Sequence, residues 1–530
     1  MRRFSQICVA MSLIAFSCQS PSSSLKLQEL RVNIHTDPPS LDPRKATDTT
    51  SNSVIRMCFD GLMRRDENGN RSFGVAQSVD ISDDGLKYTF YLKETTWSDG
   101  EPVTAKNFED AWKTILDPQF LSEFASELYV IKNGQKVKES APGINEIGVR
   151  ALDTYVLEVE LENPAPYFLD MLVTHSFFPV PSHVVEKNPQ WALNAGASYV
   201  CNGPFHLEQW KHYNTIVLEK NNRYWDKDAV SIERIDLYMI EDESTELSMY
   251  ENGEIEWVGS PLSSIPVDAL PILEKEKDFK QYEISGTYYY IFNTKAYPFT
   301  NKHIRRAFSI AINRKEIIDN ILQANQMVAT SYIPPSMWKY TKSYFADADI
   351  VEAKKEFALG LTELGITAKE MPPIKLSYNT NSGHHKIAQA IKEEWSRAFG
   401  IRVDLENMEW KVFLDNVNTH KFQIARMGGI ASYNDPVSFF RDYQYPNSRM
   451  NPCQWSNVRF TELMELSDQT QDAEKRMKIL SEAEKVFMEE MPIAPIYFYT
   501  GSYMKKPYVK SVQVSQLSDI DFKYAYLEKR

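Results

Sequence analysis

The sequence predicts a mixed α/β protein built from more than one domain. Three observations carry that reading. The 530 residues exceed what one hydrophobic core usually supports, two stretches alternate strictly between apolar and polar residues, and later stretches place apolar residues at helical spacing. Hydrophobic residues make up 43% and charged residues 25%, so a packed core is expected and a large disordered region is not.

The elements follow in chain order. Residues 1–17 have the form of a signal peptide: Arg2 and Arg3 precede an apolar stretch, residues 7–16, too short to span a bilayer. Small Ser17 before Cys18 and the polar run after it make Cys18 a candidate lipidation site and residues 18–29 a tether, although Ala15 and bulky Phe16 depart from the usual pattern. Residues 30–34 read as extended, and the prolines among residues 37–43 forbid helix there, leaving an edge or crossover segment.

Strands dominate residues 51–180. Residues 86–92 follow the turn signal Ser82-Asp83-Asp84-Gly85, and Leu157, Val159 and Leu161 alternate with Glu158, Glu160 and Glu162, giving half-buried strands with a wet acidic face. Beyond them helices and strands mix. Ile304, Ala307, Phe308, Ala311 and Ile312 fall at helical spacing, as do Met477, Leu480, Ala483 and Phe487, with Glu484 the polar interruption of the second stripe. Two aromatic triplets, Tyr288-Tyr289-Tyr290 and Tyr497-Phe498-Tyr499, require two environments each, because alternate residues of a strand face opposite sides. Residues 425–436 read as a buried strand that breaks at Gly428 and Gly429 into a polar, aromatic turn; the two glycines suit either a tight turn or bulge or the close approach of a second backbone.

Several functions are excluded on the same grounds. A net formal charge of -13 argues against nucleic acid or an anionic membrane surface as the partner. Cys58, Cys201 and Cys453 are scattered and make neither a disulfide framework nor a C-x-x-C pair. The adjacent His384 and His385 point apart and lack a third ligand at a recognised spacing, so no metal is expected, and no cofactor motif is present. No G-x-S-x-G, H-E-x-x-H or P-loop occurs, so no catalytic residue is assigned and an exported hydrolase is disfavoured.

Short motifs then stand in a fixed order: Ser40-Leu41-Asp42-Pro43, Phe59-Asp60-Gly61-Leu62, Trp97-Ser98-Asp99-Gly100, Pro102-Val103-Thr104-Ala105, Asn202-Gly203-Pro204-Phe205, Asn221-Asn222-Arg223-Tyr224-Trp225 and Asn407-Met408-Glu409-Trp410-Lys411. Together with residues 425–436 they make the chain resemble the oligopeptide-binding proteins that serve ABC importers, the dipeptide and oligopeptide type of extracellular solute-binding family 5. The resemblance implies a two-lobed periplasmic binding protein of type II (cluster C) with an additional subdomain in lobe I. Residues 30–50 and 183–284 would form lobe I, residues 51–182 its added subdomain, residues 285–499 lobe II, and residues 500–530 the return to lobe I. The chain would cross between lobes near residues 285–290 and 497–501.

The resemblance also assigns roles. Arg426 matches a basic residue that meets the ligand carboxylate, and His384 matches a histidine with a similar task. Asp37 lies near the strand that meets the peptide, Trp410, Tyr289 and Tyr497 match cleft aromatics, and Gly428, Ser432, Tyr433 and Asn434 belong to the ligand-binding segment. Departures are as informative. Gly429 replaces a tryptophan, Asp110 stands where a tyrosine faces the ligand, and Gly286 and Ile430 replace two cysteines that form a bridge. Ser432 stands where relatives carry an aspartate that pairs with the ligand's free amino terminus. A buried ammonium without a counter-charge costs several kcal/mol. Asp435 and Asp37 are the neighbours expected to substitute; otherwise the ligand is a modified peptide, a cell-wall fragment or something outside peptides.

The implied protein is a monomeric, non-enzymatic lipoprotein on the periplasmic or cell-surface side of a bacterial membrane. It would hand peptides to a permease and its ATPase subunits, with a sensor or adhesin role as the alternative.

Overall fold

The computed structural model describes residues 28–140, 143–338, 340, 342–445 and 451–528. The signal peptide, Cys18 and most of the tether lie outside the described residues.

Two long neighbouring strands, Phe279–Phe292 and Ile493–Lys505, run through the middle of an eleven-stranded mixed sheet. Tyrosine, isoleucine and phenylalanine fill both, residue types that pack well on a pleated surface, and residues 284–292 are continuously buried. On one side Ile493–Lys505 pairs with Trp257–Gly259, followed outward by Glu29–Asn33, Arg234–Tyr238, Thr215–Lys220 and Phe205–Lys211. On the other, Phe279–Phe292 pairs with Ile424–Ile430, followed by Ile374–Asn379 and Val403–Met408. The two sides are the two lobes, and the long strands belong to both.

The antiparallel ladder between the long strands is not regular. It pairs Glu283 with Thr500, then resumes at Thr287 with Phe498, and shifts again between Tyr288 and Tyr289. Such bulges loosen pairing locally and increase twist. They fall between Glu283 and Thr287 and between Tyr288 and Tyr289, opposite residues 495–500 of the partner strand.

The aromatic triplets serve two environments, as strand alternation requires. Tyr288 and Tyr290 pack into a core with Phe292, Phe308 and Trp395, whereas Tyr289 joins a separate core with Tyr332 and Phe440. The helical stripes also form core faces. Helix Lys302–Ile310, capped by Asn301, buries Ile304, Ala307 and Phe308, and Ala311 and Ile312 continue the buried stripe just beyond its end.

The early strands build a separate four-stranded antiparallel sheet, Ala76–Ile81, Lys87–Leu92, Val156–Glu160 and Val149–Asp153. Its inward Phe90, Leu157 and Val159 are fully buried, with the glutamates on the other face. Helix Ala105–Leu116, opened by a Thr104–Asn107 capping box, contributes Phe108, Ala111 and Trp112 to the interior.

One local expectation fails. The strand does not break at Gly428 and Gly429 but continues to Ile430. A side chain at position 428 would collide with the Tyr499 hydroxyl, so this glycine permits close packing rather than a turn.

Glu484 sits fully buried on helix Ala473–Glu490, where sequence spacing alone left it unexplained. Its Oε1 accepts the backbone N–H groups of Tyr332 at 3.2 Å and Ile333 at 3.0 Å, and its Oε2 accepts the Tyr344 hydroxyl at 3.2 Å. Burial pushes the carboxyl up to about 7. Glu484→Leu orphans both buried donors and lowers unfolding free energy by about 2 to 5 kcal/mol in urea titration, while Glu484→Gln, which keeps an acceptor, loses less. A leucine variant as stable as the parent contradicts this role.

Candidate functional site

Strand Ile424–Ile430 has one edge fully paired. From Phe292 opposite Ile424 to Gly286 opposite Ile430, every residue faces the crossing strand. On its other edge Ile374–Asn379 pairs only with Ile424 and Ala425. Among the described residues no strand covers that edge from residue 426 to residue 430. A run of unpaired backbone donors and acceptors is a template for an added strand.

A cavity of about 250 Å³ lies at the far end of this edge. Lobe II contributes Tyr289, Gly429, Ser432 and Tyr433, and the added subdomain of lobe I contributes Glu127 and His175. Tyr433 is held flat against Tyr167, with ring centroids 5.4 Å apart and planes 7° apart, a stack between the lobes. His175 is neutral at pH 7, because burial pushes it down to about 4, and its Nε2 meets the Ala46 carbonyl at 3.0 Å.

Arg426 occupies the other end, on the opposite face of the strand. Its Nη2 donates to the Tyr499 hydroxyl at 3.1 Å, and its guanidinium lies 4.8 Å from the centre of the Tyr288 ring. Tyr497 stacks on Tyr288 at 4.7 Å, and His384 Nδ1 meets the Tyr288 hydroxyl at 3.3 Å. Burial, followed by the charges of Arg426 and His35, pushes His384 well below the usual histidine range, so it is neutral beside the arginine. Burial works against the Arg426 charge, but the phenols of Tyr499, Tyr288 and Tyr497 hold its pKa above the ordinary value. Its Nε is buried with no acceptor, and among the described residues no carboxylate lies within ion-pair distance. A half-buried, caged cation with an unused buried donor has the chemistry to receive an anion.

The remaining expected residues lie elsewhere. Asp37 is buried at a contact between the lobes: it accepts Trp210 Nε1 at 2.8 Å and meets His212 Nδ1 at 3.0 Å, and Lys411 of lobe II reaches it at 3.2 Å. Trp410, beside Lys411, is half-buried and stacks on Phe413 with centroids 6.1 Å apart. A second interlobe contact joins Glu243 to Asn381 Nδ2 at 2.5 Å and Ser382 Oγ at 2.9 Å. Asn434 is exposed. Asp110 does not line the cavity; it is held by Lys106 and by Ser182 at 2.8 Å.

The two carboxylates expected to replace the aspartate missing at Ser432 are both engaged. Asp435 takes a bidentate pair from Arg476 at 2.8 and 2.9 Å, and Asp37 holds the contacts just described. Two acidic residues that the sequence reading passed over line the cavity instead, Glu127 on the 3-10 helix Glu123–Val130 and Asp442 on helix Val437–Gln444. Burial pushes Glu127 up to about 7, the Asp442 charge acting in the same direction, and burial pushes Asp442 up to about 6. In sequence they are single acids on mixed polar and apolar segments, Glu127 after Ser126 and Asp442 after Arg441, a pattern shared with many solvent-facing positions.

One group of possible metal ligands occurs among the described residues, His206, Glu208 and Glu219, with ligand atoms within 4.8 Å of one another. It lies on the outermost hairpin of lobe I and takes no part in the cavity.

Comparison with known proteins places this geometry. The family model described as bacterial extracellular solute-binding proteins, family 5 Middle, matches residues 72–451. The oligopeptide-binding protein OppA of Bacillus subtilis is 40% identical over 504 residues, 94% of this chain and 92% of that protein. The Escherichia coli murein tripeptide-binding protein MppA superposes with a TM-score of 0.89 at 29% identity, covering 95% of this chain and 99% of that one. An unliganded open form of MppA covers 95% and 98% at 28% identity, but its TM-score is 0.64. The fall at nearly equal identity sets the present lobe arrangement apart from the open one, in agreement with the contacts that Asp37 and Glu243 make across the cleft.

Proposed function

The chain belongs to the bacterial extracellular solute-binding proteins of family 5, and on that premise we infer that it captures oligopeptides between its lobes for an ABC importer. The observation that carries this reading is the unpaired strand edge at residues 426–430, ending at a caged cation. A peptide adding to that edge gains main-chain hydrogen bonds independent of its side chains, and Arg426, helped by neutral His384, receives its terminal carboxylate. The work is binding and release, with no bond made or broken in the ligand.

Closure follows from the same geometry. The bulges near residues 284–289 and 495–500 are the hinge we propose, and contacts such as Asp37 with Lys411 are made only when the lobes meet. A ligand touching both lobes stabilises the closed state, which the permease and its ATPase subunits would recognise. The similarity to a murein tripeptide-binding protein supports cell-wall peptides as a second ligand class.

Lipid attachment at Cys18 would hold this monomer at the outer face of the membrane that carries the importer. Cys18→Ser then moves the mature protein to the soluble fraction, and unchanged membrane association removes the anchor from the account. For the ligand, Arg426→Ala weakens trialanine binding by about 1.5 to 3 kcal/mol in titration calorimetry. Amidation of the peptide's carboxyl terminus produces a comparable loss on the unaltered protein. Reduced thermal stability with unchanged affinity would instead make Arg426 a structural residue.

A further inference from the structure

The charges that face the cleft cavity do not balance. Arg56 lies 3.6 Å from Asp519, and Arg441 forms a bidentate pair with Asp468 at 2.8 and 2.9 Å, so the two guanidinium groups of the lining have counter-ions. Asp48 is occupied as the cap of helix Thr49–Cys58, accepting the Ser51 N–H at 3.0 Å and the Ser51 hydroxyl at 2.6 Å. Glu127 and Asp442 have hydroxyl groups as their hydrogen-bond partners, with the charge of Arg441, itself paired with Asp468, acting on Asp442 from the neighbouring position. Ser176 donates to Glu127 Oε2 at 2.6 Å, and Ser126 donates to Asp442 Oδ1 at 2.5 Å. Among the described residues neither carboxylate has a lysine, arginine or histidine nitrogen within ion-pair distance. Glu127 is nonetheless only 8% exposed, and what remains open of it faces the cavity.

A carboxylate this deeply buried is normally paired. The placement of the two is therefore informative. Glu127 comes from the added subdomain of lobe I and Asp442 from lobe II, so closing the cleft brings like charges together, and the Ser432 hydroxyl lies beside Glu127. Closure without a ligand sets two acids against each other across the cavity. A cation between them reverses the sign of that interaction.

We propose that Glu127 and Asp442 together form the ammonium subsite of the cleft, holding the free amino terminus of a bound peptide from both lobes at once. This deepens the peptide reading above and rests on it. Position 432 then no longer needs a charge, because the counter-charge is supplied by the walls of the cavity rather than by the ligand-binding strand. The serine keeps a neutral donor and acceptor next to Glu127, and the ligand's amine becomes the group that draws the lobes together. The peptide runs antiparallel to strand Ile424–Ile430, its amine at the cavity and its carboxylate at Arg426.

The test uses the mature protein with trialanine and amino-terminally acetylated trialanine in titration calorimetry, on the unaltered chain, Glu127→Gln and Asp442→Asn. The unaltered protein prefers the free amine by about tenfold or more, and each carboxamide variant brings that ratio toward one. Ser432→Asp, which adds a carboxylate beside the existing pair, provides a second variant and leaves the preference for the free amine in place. Equal affinity for the two peptides on the unaltered protein, or a preference untouched by both carboxamide variants, overturns the subsite while leaving peptide binding intact. If neither peptide binds at all, the peptide reading itself fails and the subsite falls with it.

Discussion

The antiparallel pairing of strands Phe279–Phe292 and Ile493–Lys505 is the constraint on which the rest of the structure depends. Each strand is shared by both lobes, so the sheet is continuous through the hinge and the lobes cannot drift apart. Continuity alone would make a rigid plate. The two interruptions of register, near Glu283–Thr287 and Tyr288–Tyr289, allow local twist. The same pairing fixes strand Ile424–Ile430 alongside, with its second edge free from residue 426 onward. The proposed ligand site and the proposed hinge thus depend on one ladder.

Buried charges are met in more than one way. Glu484 is satisfied by two backbone N–H groups and a hydroxyl, whereas others are neutralised in place by opposite charge: Asp435 by Arg476, Arg441 by Asp468, Arg64 by Asp60 and Asp521. Charges at the ends of the free edge are not. Arg426 is surrounded by tyrosines and a neutral histidine, and Glu127 and Asp442 are met by hydroxyl groups. A charge that faces the cleft without a counter-ion gains from an opposite charge on a ligand, and the two termini of a zwitterionic peptide would supply both. On the proposed assignment a peptide with both termini free would engage Arg426 at one end and the Glu127–Asp442 pair at the other.

Much of the fold was legible because its signals are local. Alternation in residues 156–160, the helical stripes around Phe308 and Phe487, and the two tyrosine triplets each report a periodicity that burial enforces. Ordered motifs supplied the family and, through it, the cleft. What the sequence hid are pairings made across the chain. Asp435 looked available until Arg476, on another helix, claimed it, and Glu484 looked like a flaw in a stripe until two backbone donors appeared opposite it. Glu127 and Asp442 were passed over for the same reason: the Ser126 and Asp442 side chains that touch are 316 residues apart. No window of sequence shows that two lone acids line one cavity.

The central claim is that a peptide closes this molecule about the crossing strands. Small-angle X-ray scattering of the mature protein during titration with trialanine tests it most directly. The account predicts a radius of gyration that falls saturably with peptide while forward scattering stays constant, as expected for closure of a monomer. A radius unchanged at saturating peptide, with binding verified on the same sample, would contradict it.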